Sequence, residues 1–348
     1  MKYRPLGRTG QAVSVICLGT MTWGDQNTAE EGFAQMDLAL ESGVTFFDTA
    51  ELYPSPPKAE TQGNTERIIG EWFQSRGTRD KVILAGKVVG SSGMTWFRDG
   101  GAQTKLTRPQ MTEALDKSLK RLKTDYIDLY QLHWPQRPIQ WGSNPTAYQP
   151  FPMDAPLEIE EQLSVLGDFI RAGKIRWAGL SNESAWGAMT FLKESDTRGL
   201  PRMQSIQNAY SLLNRTFETG LAEIAMREHL GLLAYSPMAQ GYLSGKYRDG
   251  ALPPGSRKAL YDRLQRYEKP GSSEAVDAYV ALAARHGLDP GRMALSFVNS
   301  RPFLTSTIIG ASSLPQLRNA IASIDLAMPP ELEAEINAIH QVHLNPAC

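Results

Sequence analysis

The stretch Gly43-Val-Thr-Phe-Phe-Asp-Thr-Ala50 decides how the chain is read. Val44 to Phe47 is a short run without regular polar alternation, and it ends on an acid, Asp48. Such a run suits a strand buried on both faces. Upstream, Glu31–Glu41 carries Phe33, Met36, Leu38 and Leu40 at helical spacing. Downstream, Thr65–Gln74 carries Ile68, Ile69, Trp72 and Phe73, with Trp72 the clearest core residue. Helix, strand and helix in this order read as part of a parallel β/α series.

The same unit recurs in both directions. Further strand-like runs lie at Val15–Leu18, Val82–Ala85, Tyr126–Leu132, Trp177–Leu180, Ser205–Gln207, Leu232–Tyr235 and Ser306–Ile309. Amphipathic segments at Pro109–Leu122, Ile159–Ile170, Ala185–Leu192, Leu221–Met226, Ala275–Ala284 and Leu314–Ile324 continue the alternation. Eight such units predict an α/β fold, a closed (β/α)8 TIM barrel over about residues 15–324, in one domain spanning 1–348. The rival is a doubly wound sheet that binds a dinucleotide, which should carry G-x-G-x-x-G after an early strand. The first strand–helix junction instead reads Gly19-Thr-Met-Thr-Trp-Gly24, and the fingerprint occurs nowhere.

Residues outside the eight units fall into recognisable pieces. Tyr3–Leu6 and Ala12–Ser14 flank Gly7-Arg-Thr-Gly10, an N-terminal β-hairpin expected to cover the barrel bottom. Three long βα loops, Gly90–Arg108, Trp134–Leu157 and Met238–Ser272, follow strand C-terminal ends, the side where barrel enzymes build their sites. Pro330–Gln341 reads as an extra C-terminal helix.

Composition removes several classes of function. With 36 basic and 37 acidic residues, the net charge is −1, so no global field attracts nucleic acid or an anionic membrane. The cluster Lys117, Lys120, Arg121, Lys123 reads as the cationic end of a helix. Cys17 and Cys348 make no disulfide framework, which fits a reducing compartment. No apolar leader or membrane-length apolar run appears, so a cytoplasmic protein is expected. No metal is expected: His340 and His343 have no Cys, Asp or Glu cluster beside them. Gly241-Tyr-Leu-Ser-Gly-Lys246 imitates a phosphate loop. It is one residue short, and Tyr247 stands where a magnesium-binding Ser or Thr is required.

Chemistry concentrates where strands end. Asp48, Lys87, His133, Ser181-Asn182, Asn208 and Tyr235-Ser236 each close a strand-like run, and barrel strands direct such residues into one shared mouth. Tyr53 follows Asp48 in Asp48-Thr-Ala-Glu-Leu-Tyr53. A free tyrosine titrates near pH 10, roughly, and a nearby ammonium lowers that value. Lys87 is expected to do this for Tyr53, with Asp48 orienting Lys87 and His133 contacting a carbonyl oxygen. The set would protonate oxygen while stabilising its developing negative charge.

These four residues resemble the catalytic tetrad of the aldo-keto reductase superfamily. The strings Gly43–Ala50, Tyr126-Ile-Asp-Leu-Tyr-Gln-Leu-His-Trp-Pro135, Gly179-Leu-Ser-Asn182, Tyr210-Ser-Leu-Leu-Asn-Arg215 and Tyr235-Ser-Pro-Met-Ala-Gln-Gly241 are similar too. The long insertion after His133 resembles the bacterial Tas-like branch. The resemblance implies NADPH-dependent reduction of aldehydes or ketones, with the cofactor extended across the mouth. It assigns Ser181, Asn182 and Gln207 to the carboxamide, and Tyr235 to stacking on the nicotinamide. Gly19, Thr20 and Met21 are first-strand contacts, and Asp48 touches the ribose. It assigns Ser236, Pro237, Met238, Gly241, Leu243, Gly245 and Lys246 to the pyrophosphate loop, and Gly310, Ala311, Ser312 and Gln316 to the adenosine half. Relatives commonly place an asparagine four residues after that glutamine; here the position holds Ala320, with Asn319 beside it. Ser312 and Arg318 are the candidates for a 2′-phosphate.

The expected partner is a small carbonyl compound. Trp23 and Trp134, next to strand-end chemistry, are read as apolar walls suited to aromatic substrates. Trp96, Trp141 and Tyr148 lie in two of the long loops. The superfamily also includes potassium-channel β-subunits, so a cofactor-binding regulatory protein with slow catalysis is the alternative. Oligomeric state is left open by the sequence.

Overall fold

A computed structural model describes residues 1–139, 150, 152–153, 158–262 and 265–348. Trp141 and Tyr148 lie outside the described residues. The chain begins with a hairpin, β1 (Tyr3–Pro5) and β2 (Ala12–Ser14), paired antiparallel. The barrel strands are β3 (Ile16–Gly19), β4 (Phe46–Asp48), β5 (Ile83–Val88), β6 (Ile127–Leu132), β7 (Ile175–Ser181), β8 (Met203–Ala209), β9 (Gly231–Tyr235) and β10 (Leu304–Ile309). All eight are parallel, and β10 pairs with β3 to close the barrel.

Helices follow the strands: α1 (Ala29–Glu41), α2 (Asn64–Arg76), α3 (Arg108–Leu122), α4 (Ile159–Arg171), α5 (Ala185–Arg198) and α6 (Leu221–Arg227). After β9 come α7 (Arg257–Tyr261), α8 (Ser272–Arg285) and α9 (Pro290–Asn299); after β10 come α10 (Leu314–Ile321) and α11 (Pro330–Val342). Local sequence fixes several starts. Thr28 caps α1 in a reciprocal capping box with Glu31, and Asp289 caps α9 before Pro290. The strand-and-helix reading missed α7 and α9. The Asp289-Pro290 start and the buried Met293, Ala294, Phe297 and Val298 are the signals α9 carries.

Side chains alternate across each strand, and this alternation builds the site. Cys17, Phe46, Ala85, Leu129, Leu233 and Ile308 turn inward and form a small interior cluster with Leu6 and Val13 of the hairpin. Two residues further along β4, β5 and β6, the inward positions are Asp48, Lys87 and Gln131, all buried. Outward residues such as Phe47, Leu84 and Tyr130 join the larger core beneath the helices. The hairpin therefore plugs the bottom, as expected. Gly7, at φ +54°, sits against Gln204 so closely that a Cβ would lie 2.5 Å from its carbonyl oxygen. Arg4 ties the plug to the barrel through the carbonyls of Asn299, Arg301 and Leu304. No helix among the described residues is long and apolar enough to cross a membrane.

Candidate active site

Asp48, Lys87 and His133, from the ends of β4, β5 and β6, meet Tyr53 at the C-terminal mouth. Lys87 is fully buried, and its Nζ donates to Asp48 Oδ1 at 2.5 Å, to the Thr49 carbonyl at 2.8 Å and to the Tyr53 hydroxyl at 3.3 Å. Asp48 Oδ2 accepts from Gln207 Nε2 at 2.8 Å and Gln131 Nε2 at 3.3 Å. Gln207 also donates to Gln131 Oε1, so these amides pack beneath the ion pair. Gly179 makes room for them: a Cβ there would lie 2.7 Å from Ser205 Oγ and 3.1 Å from Gln131 Cγ. The Tyr53 ring stands edge-on to His133, with centroids 6.0 Å apart.

The electrostatics follow from this packing. Burial pulls the Lys87 pKa down, but Asp48 and Tyr53 together outweigh it, and the ammonium is held above its ordinary range. Burial and the Lys87 charge both push His133 well below its ordinary value, so its imidazole is neutral. Its Nδ1 is buried with no hydrogen-bond partner among the described residues. Tyr53 departs from the sequence expectation. Burial raises its pKa and exceeds the lowering by Lys87, because the hydroxyl sits where water cannot solvate a phenolate. The phenol is thus a protonated donor at neutral pH, and Lys87 limits how far its acidity is suppressed.

The cofactor-loop residues expected from the sequence lie at or just after strand ends on this same face. Thr20 Oγ1 donates to the Asp48 carbonyl, and the Met21 carbonyl accepts from Ser55 N–H. Ser181 donates to the Gln207 carbonyl. Asn182, at φ +55°, donates to the His133 carbonyl and accepts from the Tyr235 hydroxyl at 2.8 Å. Beyond β9, Ser236, Pro237 and Met238 lead into a 3-10 turn over Ala239–Ser244, which holds Gly241 and the buried Leu243, with Gly245 and Lys246 after it. Gly241 needs its φ of +102°, and a Cβ there would come 2.7 Å from Lys246 Cε. Past β10, Gly310 faces open space and Ala311 is buried. Ser312 and Gln316 bond each other. Arg318 is exposed on α10. Asn319 is turned to α9, accepting from Arg292 Nε and donating to Asp289 Oδ1.

Of the two tryptophans read as pocket walls, one is elsewhere. Trp23 is fully buried between α1 and α2, donates to Gln35 Oε1, and lies over Gly32, whose Cβ would be 3.2 Å from the indole. Burial of the whole ring in the slot opened by Gly32 removes it from the mouth. Trp134 is at the mouth, half-buried, its centroid 5.0 Å from that of His133. Its Nε1 donates to the Ser91 carbonyl.

Several residues escaped the sequence reading. Glu51 and Arg98 form a buried bidentate pair, with both bonds 2.8 Å. Arg137 and Glu183 form a second bidentate pair, part-buried, at 2.9 and 2.5 Å. Glu51 and Glu183 stand within two residues of Tyr53 and Asn182, a signal the sequence did contain. Their arginines come from long loops and carry no local signal. Arg257, on α7, is close enough for its charge to favour the Tyr53 phenolate. Lys246 follows the turn after β9, and the charges that act on Arg257 come from tyrosines, Tyr53 among them. No metal-binding group of His, Cys, Asp or Glu occurs among the described residues.

The sequence profile of the Aldo/keto reductase family matches residues 15–341. The chain is 46% identical to Protein tas of Escherichia coli (strain K12) over the whole of both chains. It is 34% identical to the uncharacterized oxidoreductase YrpG of Bacillus subtilis, over 97% of this chain and 96% of that one. It is also 29% identical to a probable voltage-gated potassium channel subunit beta of Oryza sativa subsp. japonica, over 98% and 97% of the two chains. With a closed eight-stranded parallel barrel, a family match across it and full-length identity to Tas, the chain is an oxidoreductase-class member of the aldo/keto reductase family, in its Tas-like branch.

Proposed function

We infer that this protein reduces aldehydes or ketones to alcohols with NADPH, using Tyr53 as the proton donor. The observation that carries the reading is the Tyr53–Lys87–Asp48 chain, in which the phenol lies 3.3 Å from a buried ammonium that Asp48 holds in its charged form. NADPH, when bound, supplies the hydride. Tyr53 supplies the proton to the carbonyl oxygen, Lys87 stabilises the phenolate left behind, and Asp48 holds Lys87 charged and oriented. The neutral imidazole of His133 orients the carbonyl without adding charge. Asn182 and Gln207 present amides for the carboxamide, Tyr235 an aromatic face for the nicotinamide ring, and Lys246, Arg257 and Arg318 the cations for its phosphates. Arg318 and Ser312 are the candidates for the 2′-phosphate.

The test is NADPH oxidation with a panel of aliphatic and aromatic aldehydes, run beside Tyr53→Phe. Wild type should turn over, and Tyr53→Phe should lose at least about a hundredfold in kcat, the scale of general acid catalysis. Equal turnover by the two would reject Tyr53 as the acid. The likeness to a channel β-subunit keeps a second reading open, a cofactor-binding regulator. Tight NADPH binding with negligible turnover on every carbonyl would favour that role.

A further inference from the structure

Two residues before Tyr53, the carboxylate of Glu51 is almost wholly shut off from water, as is its partner Arg98; their side chains are 2% and 1% exposed. Arg98 comes from the long loop between β5 and α3. Its Nη1 donates to Glu51 Oε2 and its Nη2 to Oε1, both at 2.8 Å. Glu51 Oε1 also accepts from the backbone N–H of Val89 at 2.8 Å. The Glu51 N–H donates to the Lys87 carbonyl at 3.2 Å, and its own carbonyl accepts from Gln62 Nε2 at 2.7 Å. Every polar group of Glu51 is therefore engaged, and the two backbone bonds lead to Lys87 and to the residue two beyond it.

A buried ion pair contributes little net stability over an apolar pair of the same volume, because desolvation offsets the attraction. What it does supply is a fixed geometry, since neither charge can relax without losing its partner. Here the geometry joins the strand end that carries Lys87 to the loop that carries Tyr53. The contact at stake is the 3.3 Å bond from Lys87 Nζ to the Tyr53 hydroxyl, the longest that Nζ makes. A small shift of the Tyr53 loop would break it while leaving the Lys87–Asp48 bond intact.

We propose that Arg98 is a positioning residue for the reaction: acting through Glu51, it fixes the Tyr53 hydroxyl against Lys87. This rests on Tyr53 being the proton donor. Arg98 reaches neither Tyr53 nor Lys87 directly, so its effect travels through the Glu51 carboxylate and the two backbone bonds.

The test uses the full-length enzyme and three variants: Arg98→Met combined with Glu51→Gln, which removes both charges together, Arg98→Lys, which keeps a cation with poorer geometry, and Tyr53→Phe as the reference. Four quantities are read: kcat for aldehyde reduction, the pH at which alcohol oxidation with NADP+ is half-maximal, the Kd of NADPH by fluorescence quenching, and thermal unfolding. In the double variant kcat should fall by about ten- to a hundredfold, the penalty of misplacing a reacting group by an ångström or less. Its oxidation profile should move to higher pH by about half a unit or more, because a hydroxyl further from the ammonium is harder to ionise. NADPH affinity should stay within about threefold of wild type, and Arg98→Lys should fall between the two. Unchanged kcat and an unchanged profile in a folded double variant would overturn the proposal. So would a loss of kcat matched by an equal loss of NADPH affinity with no movement of the profile, which would mean that the pair merely holds the mouth together. Should the double variant not fold, the same four readings on Arg98→Lys decide in the same way. If wild type does not turn over at all, or Tyr53→Phe equals wild type, the assignment of Tyr53 fails first, and the two failures are told apart.

Discussion

His133 is kept neutral by two effects of the same sign, burial and the nearby Lys87 ammonium. Its pKa in the folded protein is therefore depressed below the ordinary 6.5. Between the two values the unfolded chain binds the proton and the native protein does not. Stability from this residue is complete above the unfolded value and is lost as pH falls toward the folded one. His340 is depressed by burial too and adds to the trend. Denaturant titrations from pH 7.5 to 5 should show wild type losing stability with a slope that His133→Gln reduces, by up to about 1.4 kcal/mol per pH unit. Identical slopes would mean that His133 titrates normally in the folded enzyme.

At the scale of elements, the mouth is shaped by long loops rooted on the barrel rim. Arg98 roots the β5–α3 loop on Glu51, and Arg137 roots the start of the β6–α4 connection on Glu183, where it also stacks over Trp186 at 5.1 Å. The two loops meet at Gly90 and Trp134. A Cβ on Gly90 would come 2.4 Å from the Trp134 carbonyl oxygen and 2.5 Å from its Cδ1. Gly90→Ala must displace Trp134, and overpacking of this kind costs about 1–3 kcal/mol. If Trp134 is a pocket wall, kcat/KM for benzaldehyde should drop by about tenfold or more through KM, while a short aliphatic aldehyde is little affected. Equal losses for both substrates, in steady-state kinetics, would place the indole outside the pocket. Half of this arrangement was legible in the chain itself. Trp134 is pinned beside His133, but nothing local says that it rests on Gly90.

Across the whole molecule, the barrel separates two tasks. The hairpin closes the bottom, and the proposed site lies at the top, the division of labour expected of a barrel enzyme. Arg4 is the main polar tie of the plug, donating to three carbonyls at 2.7–2.8 Å. Arg4→Ala leaves those oxygens to find other partners and should cost about 2–3 kcal/mol of unfolding free energy, since bonds to a charged group are the stronger kind. It should leave kcat and KM unchanged, because Asp48, Tyr53, Lys87 and His133, the proposed site, stand at the other end of the strands. A fall in kcat at a temperature where the variant is fully folded would show that the plug and the mouth are coupled.

The eight strands, most of their helices, the hairpin and the strand-end places of Asp48, Lys87 and His133 were determined by the sequence alone. Each depends on local periodicity: apolar runs give buried strands, and alternation along them puts the residue after Phe46-Phe47 inside the barrel as surely as it buries Phe46. Tertiary structure decided the rest. Trp23 and Trp134 both follow strand ends, yet one fills a slot above Gly32 and the other lies on Gly90, because space is set by residues distant in sequence. Arg98 and Arg137 meet carboxylates 47 and 46 positions away, and no local pattern records such pairings. The Tyr53 pKa rises where its neighbour Lys87 alone would lower it. Desolvation depends on everything packed around a group, and the linear sequence names the neighbours without saying how completely they exclude water.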